Sequence, residues 1–490
     1  VRFKAKSKSV LAAAVGDSGD EVCRCGSSVR FAIVASLVCI AAGATIFPRI
    51  DETPFHGDES GWISSAYHYT DLLLTLDPTS SKWECQECST WGSLNLHLGQ
   101  WLIGLPLVMD PGIRGRRFSQ YYDFDLPSEN NVAQGRIPPR DILLRGRRAV
   151  AVVGVLCCLI VFSIGYLAYG LPVGVLAASL VLTNQLFITY ATRAVTDVHY
   201  SFFLLCLCLA MMLLARSKSA PSTRGAIQVG AIAGVLVGLA TSVKVAAIVV
   251  GGLMFVAATY AFEGRRARLL AVVTFCASAL IVIYGLNPFF WIDSKDLRPQ
   301  PLIQELRLLA LDVRTSSLQI DSARFPQLAT LGRFPSTFVR WDRLMNKQLE
   351  AQPEWGWQGN RLGILHEALL SRYSSVPAGW LFLGIGVCLA SSYARRRAQS
   401  SLDPPAVLTA LPLLYLLANY GFILAFMKLN FERYYLPTVI ASQFFVAIGL
   451  HAVIARPLRW IRHRTRARIR DVDEVVTLVD ERLGKNRSAR

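Results

Sequence analysis

The chain has 490 residues, of which 53% are hydrophobic and only 17% charged. Soluble proteins carry about 25% charged residues, so this composition excludes an ordinary water-soluble enzyme and a disordered scaffold and points to a polytopic membrane protein. The net charge of +17 comes from 51 Lys and Arg against 34 Asp and Glu. Its basic residues fall in short clusters between apolar runs, such as Arg265, Arg266 and Arg268 or Arg395 to Arg397. That is the positive-inside pattern, and it lacks the continuous basic stripe of a nucleic-acid binder.

In chain order, residues 1–30 are polar and basic and read as a cytoplasmic segment without a cleavable signal peptide. Apolar runs follow at 31–48, 149–169, 172–193, 199–215, 226–243, 245–262, 269–286, 377–394, 405–427 and 436–455. They predict an all-α polytopic membrane protein with about ten transmembrane helices. Leu96 to Met109 is too short for a span and reads as an interfacial or re-entrant helix. With this count, the clusters after Arg216, Arg265, Arg395 and Arg456 share one face with the N-terminus. Two long segments, 49–148 and 287–376, then lie on the non-cytoplasmic side, where long connections tend to carry function. The Arg-rich stretch 114–148 goes against the charge rule there. The expected organisation is a transmembrane catalytic module at 31–286 including the first outer loop, the second outer loop, C-terminal helices at 377–455, and a basic cytoplasmic tail at 456–490. In the tail, an Arg-rich helix and an amphipathic stretch from Asp471 to Leu483 suit anionic lipid.

Most of the 11 cysteines sit inside apolar runs and act as small hydrophobes. Cys85 and Cys88 lie in an outer loop, where a disulfide or two inert thiols fit better than a metal.

Four groups of residues can carry chemistry. Asp58 and Glu59 follow the first span, where Trp62, Ala66, Tyr69, Leu73 and Leu76 recur at helical spacing and suggest a helix on the membrane surface. Carboxylates at that helix start are favoured by its dipole, whether or not they also react. Arg193 and Asp197 stand between two apolar runs, where an acid is costly unless it faces a cavity. Lys244 is the lone charge between Arg224 and Glu263. It either snorkels to the interface or offers a fixed charge to a phosphate. Glu432 and Arg433 precede Tyr434 and Tyr435 and read as a site or as interfacial anchors. Five of seven histidines (His56, His68, His97, His199 and His366) are expected outside. None makes an i, i+4 pair, so no metal is required, with a divalent ion as the alternative.

These residues resemble the membrane-embedded type-C glycosyltransferases, particularly the protein O-mannosyltransferase and aminoarabinose-transferase group. Asp58-Glu59 resembles the family's acidic pair, Arg193 to Asp197 its R-x-x-L-D segment, and Gly238 to Lys244 its G-L-A-x-S-V-K segment. Asn95 to Gln100 is similar to the HPPLGK motif, with Leu98 and Gly99 matching in place. The resemblance implies a GT-C-like fold in the cell membrane. It implies transfer of a monosaccharide from a polyprenyl-phosphate carrier to an acceptor protein or glycolipid on the non-cytoplasmic face.

In that reaction Asp58, Glu59 and Asp197 are the candidate catalytic carboxylates, with Asp58 as base. Lys244, Arg433 and Arg193 are candidates for the donor phosphate, and His97 and Tyr69 for substrate contacts. A phosphate leaving group needs positive charge rather than an acid, and the acceptor hydroxyl needs a base. The competing readings are a lipid or solute transporter or flippase, which predicts midplane charges and internal repeats, and a non-catalytic lipid-binding protein.

Overall fold

The computed structural model describes residues 9–75, 96–216, 223–259, 264–287, 352–376, 379–399 and 407–454. All regular structure there is helical, apart from one isolated bridge pairing Gly356 with Leu429. The helices are α1 (Ser9–Glu52), α2 (Gly57–Thr75), α3 (Leu98–Val108), α4 (Pro111–Arg114), α5 (Ser128–Ala133), α6 (Arg140–Tyr169), α7 (Leu171–Leu182), α8 (Gln185–Ala191), α9 (Asp197–Arg216), α10 (Thr223–Thr241), α11 (Ala247–Thr259) and α12 (Arg265–Gly285). Beyond them come Arg361–Glu367, Gly379–Gln399, Val407–Phe426 and the span Glu432–Ile454. Cys85, Cys88, most of the segment 287–376 expected as a second outer loop, and the expected basic tail lie outside the described residues.

The chain is a multi-pass membrane protein, but the expected number of spans is corrected. Among the described residues six helices are long and apolar enough to cross, or up to seven if one bent pair counts as a span, not about ten. The six coincide with the apolar runs starting at 31, 149, 199, 226, 269 and 436. The run 172–193 instead forms α7 and α8, bent by 68°. The bend falls at Asn184, whose side chain caps α8 by accepting from the Phe187 N–H and donates to Tyr373 O. The run 245–262 starts its helix only at Ala247, after a turn that carries Lys244. Leu381–Ser392 and Ala410–Phe426 are also shorter apolar helices. A core about 30 Å thick needs roughly 20 helical residues, so apolar content alone overcounts. The sidedness read for the basic clusters from about ten crossings falls with that number.

Small residues bring the helices together. Gly230, Gly234 and Gly238 form one stripe of α10 against α12, where a Cβ on Gly234 would stand 2.4 Å from Phe275 O. In a bilayer such close backbone approach replaces the hydrophobic drive that water would supply. Gly386 and Gly449 join Gly379–Gln399 to the last span in the same way, against Phe445 O and Phe382 O. Gly234→Leu should therefore lower the thermal midpoint in detergent, at an overpacking cost of about 1–3 kcal/mol or more. Gly252→Ala serves as the control, because its added methyl meets nothing within 4 Å; equal losses in both would discount the stripe.

Six of the eight arginines in the Arg-rich stretch 114–148 pair with acids in it or beside it. Arg116 pairs with Asp141, Arg117 with Asp71, Arg136 with Asp123, Arg140 with Asp51, Arg145 with Asp110 and Arg147 with Glu59. Asn131 braces the loop by accepting from the Asp123 N–H and donating to the carbonyls of Asp123 and Leu126. The loop then reaches α2: the Tyr122 N–H donates to Ser60 Oγ at 2.7 Å. Gly57 leaves room for it, since a Cβ there would meet Tyr122 and Phe124 at under 3 Å.

Candidate active site

α2 begins at Gly57, so Asp58 and Glu59 occupy its first turn. The expectation of a surface helix is corrected, because residues 58–67 are buried all round rather than on one face. The two acids are used differently. Glu59 is fully buried and each of its oxygens accepts two bonds. Oε1 takes Arg147 Nε (2.8 Å) and the Ala194 N–H (2.8 Å), and Oε2 takes Arg147 Nη2 (2.7 Å) and the His56 N–H (3.0 Å). Arg147 spends its other N–H groups on Ile50 O, Thr53 O and Pro54 O. This bidentate, fully bonded arrangement is the kind that makes a buried pair tolerable.

Asp58 instead faces the last span, where its Oδ2 accepts from Arg433 Nη1. His56 Nδ1 lies 3.7 Å from the same oxygen. Burial, partly offset by the Asp58 carboxylate, holds the His56 imidazole below its ordinary value.

Asp197 opens α9 and pairs through Oδ1 with Lys244 Nζ. Lys244 thus has a carboxylate partner. Burial pulls its ammonium below its ordinary value, and Asp197 opposes that shift. Arg433 does not pair with Glu432, which is taken by Arg372 at 2.7 Å. The two ion pairs meet at Tyr434: its ring centroid is 5.7 Å from Lys244 Nζ and 5.4 Å from Arg433 Cζ. Four candidate residues from four parts of the chain are thereby gathered around one aromatic ring. Arg193 borders them, its guanidinium carbon 5.8 Å from the Tyr190 ring centroid, and its charge acts on His56.

His97 and Tyr69 are not brought into contact with these pairs. They stack on each other, ring centroids 4.1 Å apart, in a buried cluster behind the Lys244 turn. The His97 N–H donates to Asn287 Oδ1 (2.8 Å), and its Nδ1 shares a hydrogen with Gln100 Oε1 (3.0 Å). The next residue donates from its N–H to Ser242 O (3.0 Å), which ties α3 to the turn holding Lys244.

Burial lowers the His97 pKa to about 4. The unfolded chain binds this proton near 6.5 and the folded chain only near 4, so stability falls as pH drops through that window. The loss should reach roughly 3 kcal/mol. Thermal midpoints followed from neutral to acid pH check this, and an unchanged acid limb in His97→Gln would assign the loss elsewhere.

Among the described residues, no group of three or more His, Cys, Asp or Glu side chains is placed to hold a metal ion. Sequence reasoning missed Arg147, reading it as part of a basic loop. Its signal lies in the spacing: Leu143, Arg147 and Ala151 share one buried face of α6. Tyr434 and Asn287 were legible only as an interfacial aromatic and a loop residue.

The dolichyl-phosphate-mannose-protein mannosyltransferase family matches residues 140–298, about a third of the chain. That segment contains Arg147, Arg193, Asp197 and Lys244. No curated protein matches the sequence. The fold is similar to that of the oligosaccharyltransferase AglB from Archaeoglobus fulgidus, solved with an inhibitory peptide and a dolichol-phosphate. The identity is 13% and the TM-score 0.48, over 90% of this chain and 52% of that one. The chain therefore spans about half the length of that enzyme. It is also similar to ArnT from Cupriavidus metallidurans bound to undecaprenyl phosphate, at 16% identity and a TM-score of 0.34, over 88% of this chain and 78% of that one.

Proposed function

We propose that the chain is a membrane-embedded, type-C glycosyltransferase that moves a monosaccharide from a polyprenyl-phosphate carrier to an acceptor protein or glycolipid. The site faces the non-cytoplasmic side and the transfer inverts the anomeric centre. The observation that carries this reading is the meeting of the Asp58–Arg433 and Asp197–Lys244 pairs around Tyr434. Two carboxylates and two cations in one part-buried cluster match what the reaction needs, a base for a hydroxyl and counter-charge for a phosphate. The family match over Arg193, Asp197 and Lys244 supports it.

Asp58 is the base, because Glu59 has no lone pair left to offer. Glu59 and Arg147 act as positioning residues that fix the first turn of α2. Asp197 holds Lys244 until the donor arrives, when the ammonium turns to the phosphate. Arg433 grips two phosphate oxygens with its planar fork. The lipid tail lies against the apolar helix faces beside them.

The test is Lys244→Met in purified protein given a polyprenyl-phosphate-linked sugar. Losing a hydrogen bond to a charged group should weaken donor affinity by about ten- to a hundredfold and slow transfer. Unchanged affinity and rate would remove Lys244 from the site and pass its role to Arg193. A protein that binds the carrier without any turnover would be a lipid binder rather than a transferase.

A further inference from the structure

The charges of the site can be summed. Among the described residues three carboxylates (Asp58, Glu59 and Asp197) and four cations (Arg147, Arg193, Lys244 and Arg433) gather here from α2, α6, the α8–α9 turn, the start of α9, the α10–α11 turn and the start of the last span. Glu59 is consumed by Arg147, and outside the cluster Glu432 is consumed by Arg372. The remaining titratable neighbours, His56, Tyr190 and Tyr434, are uncharged when neutral. With His56 neutral, these described residues sum to one net positive charge, which balances a phosphodiester donor of charge minus one.

The transfer doubles both charges. When the acceptor oxygen bonds to the anomeric carbon, the bond from that carbon to the phosphate oxygen breaks. Its electron pair stays on the phosphate, which becomes a doubly charged monoester. The acceptor's proton is then on Asp58, so the site as a whole is still neutral. Release of the dianion would separate two charges from two and leave the part-buried cluster doubly positive, with Asp58 protonated and unready.

We propose that Asp58 passes the acceptor's proton to the departing lipid phosphate, both oxygens being held by Arg433, so that the carrier leaves singly charged. This rests on the glycosyltransferase reading. Asp58 already lies against Arg433, and a guanidinium presents parallel donors to two oxygen acceptors at once. The proton thus crosses between neighbouring oxygens, Asp58 regains its charge, and its pair with Arg433 re-forms as the lipid departs. No further acid or base is needed: one O–H bond is lost from the acceptor and one is gained by the phosphate.

The consequence is a preference for the singly protonated monoester. The experiment uses the full chain in lipid nanodiscs with two probes, farnesyl phosphate and its methyl diester, titrated from about pH 6 to about pH 8. A phosphate monoester gives up its second proton near pH 6, whereas the diester does not titrate and reports any change in the cations themselves. The monoester-to-diester affinity ratio should fall about tenfold or more across this range. In Asp58→Asn, where the site gains a net charge, the ratio should be flat or rise.

Calorimetry on the unaltered chain at about pH 8, in buffers of different ionisation enthalpy, should give uptake of about one proton per monoester and none per diester. A ratio independent of pH, an equal fall in Asp58→Asn, or no proton uptake by the unaltered chain overturns the proposal while leaving the donor site standing. Failure of both probes to bind either protein instead removes the donor site, and with it the glycosyltransferase reading.

Discussion

Asp58→Asn should lower turnover at least about 10²-fold, the usual cost of losing a general base, with expression intact and affinity for a diester donor unchanged or tighter. The substitution is isosteric, and the amide oxygen can still accept from Arg433, so the turn at Gly57 and the loop packed on it should persist. What disappears is a carboxylate able to take a proton from a hydroxyl. Single-turnover transfer with saturating donor measures this directly. Near-normal turnover would transfer the role to Asp197, since Glu59 already accepts four bonds.

Arg147→Met should be the most damaging change to stability. It leaves the Glu59 carboxylate, 0% exposed, without its counter-charge, and it removes the donors to three carbonyls at the end of α1. Breaking a buried pair by deleting one partner costs about 3–5 kcal/mol, a large fraction of the stability of an ordinary domain. Thermal unfolding in detergent reads it. The double substitution Arg147→Met with Glu59→Gln should recover part of the loss, because the unpaired charge is gone. A single variant as stable as its parent would mean that Glu59 is neutral without its arginine.

The long, uninterrupted apolar runs were legible as spans because hydropathy averages over about 20 residues and α1, α6, α9, α10, α12 and the last span satisfy that average. It failed at 172–193, where one buried asparagine turns the chain by 68°. Averaging does not register a cap. The charges of the candidate site were legible for the same reason that they are costly: Asp58, Asp197, Lys244 and Arg433 interrupt or border apolar sequence. Their pairing was not. Asp197 and Lys244 are 47 positions apart, and no local periodicity joins them. Lys244 looked solitary along the chain and is paired in space. Arg147 was hidden by its setting, among arginines that are mostly surface partners of nearby acids.

Asp58 and Arg433 are 375 positions apart, and that distance is also a delay. At about 5–20 residues per second, on the order of half a minute separates the synthesis of the acid on α2 from that of its cation on the last span. Through that interval the nascent chain holds five of the six described spans and, at Asp58, a carboxylate still without Arg433. The Asp58–Arg433 pair is therefore completed only by the last of the described spans, and on the proposed function a half-made chain would lack the cation assigned to the carrier's phosphate.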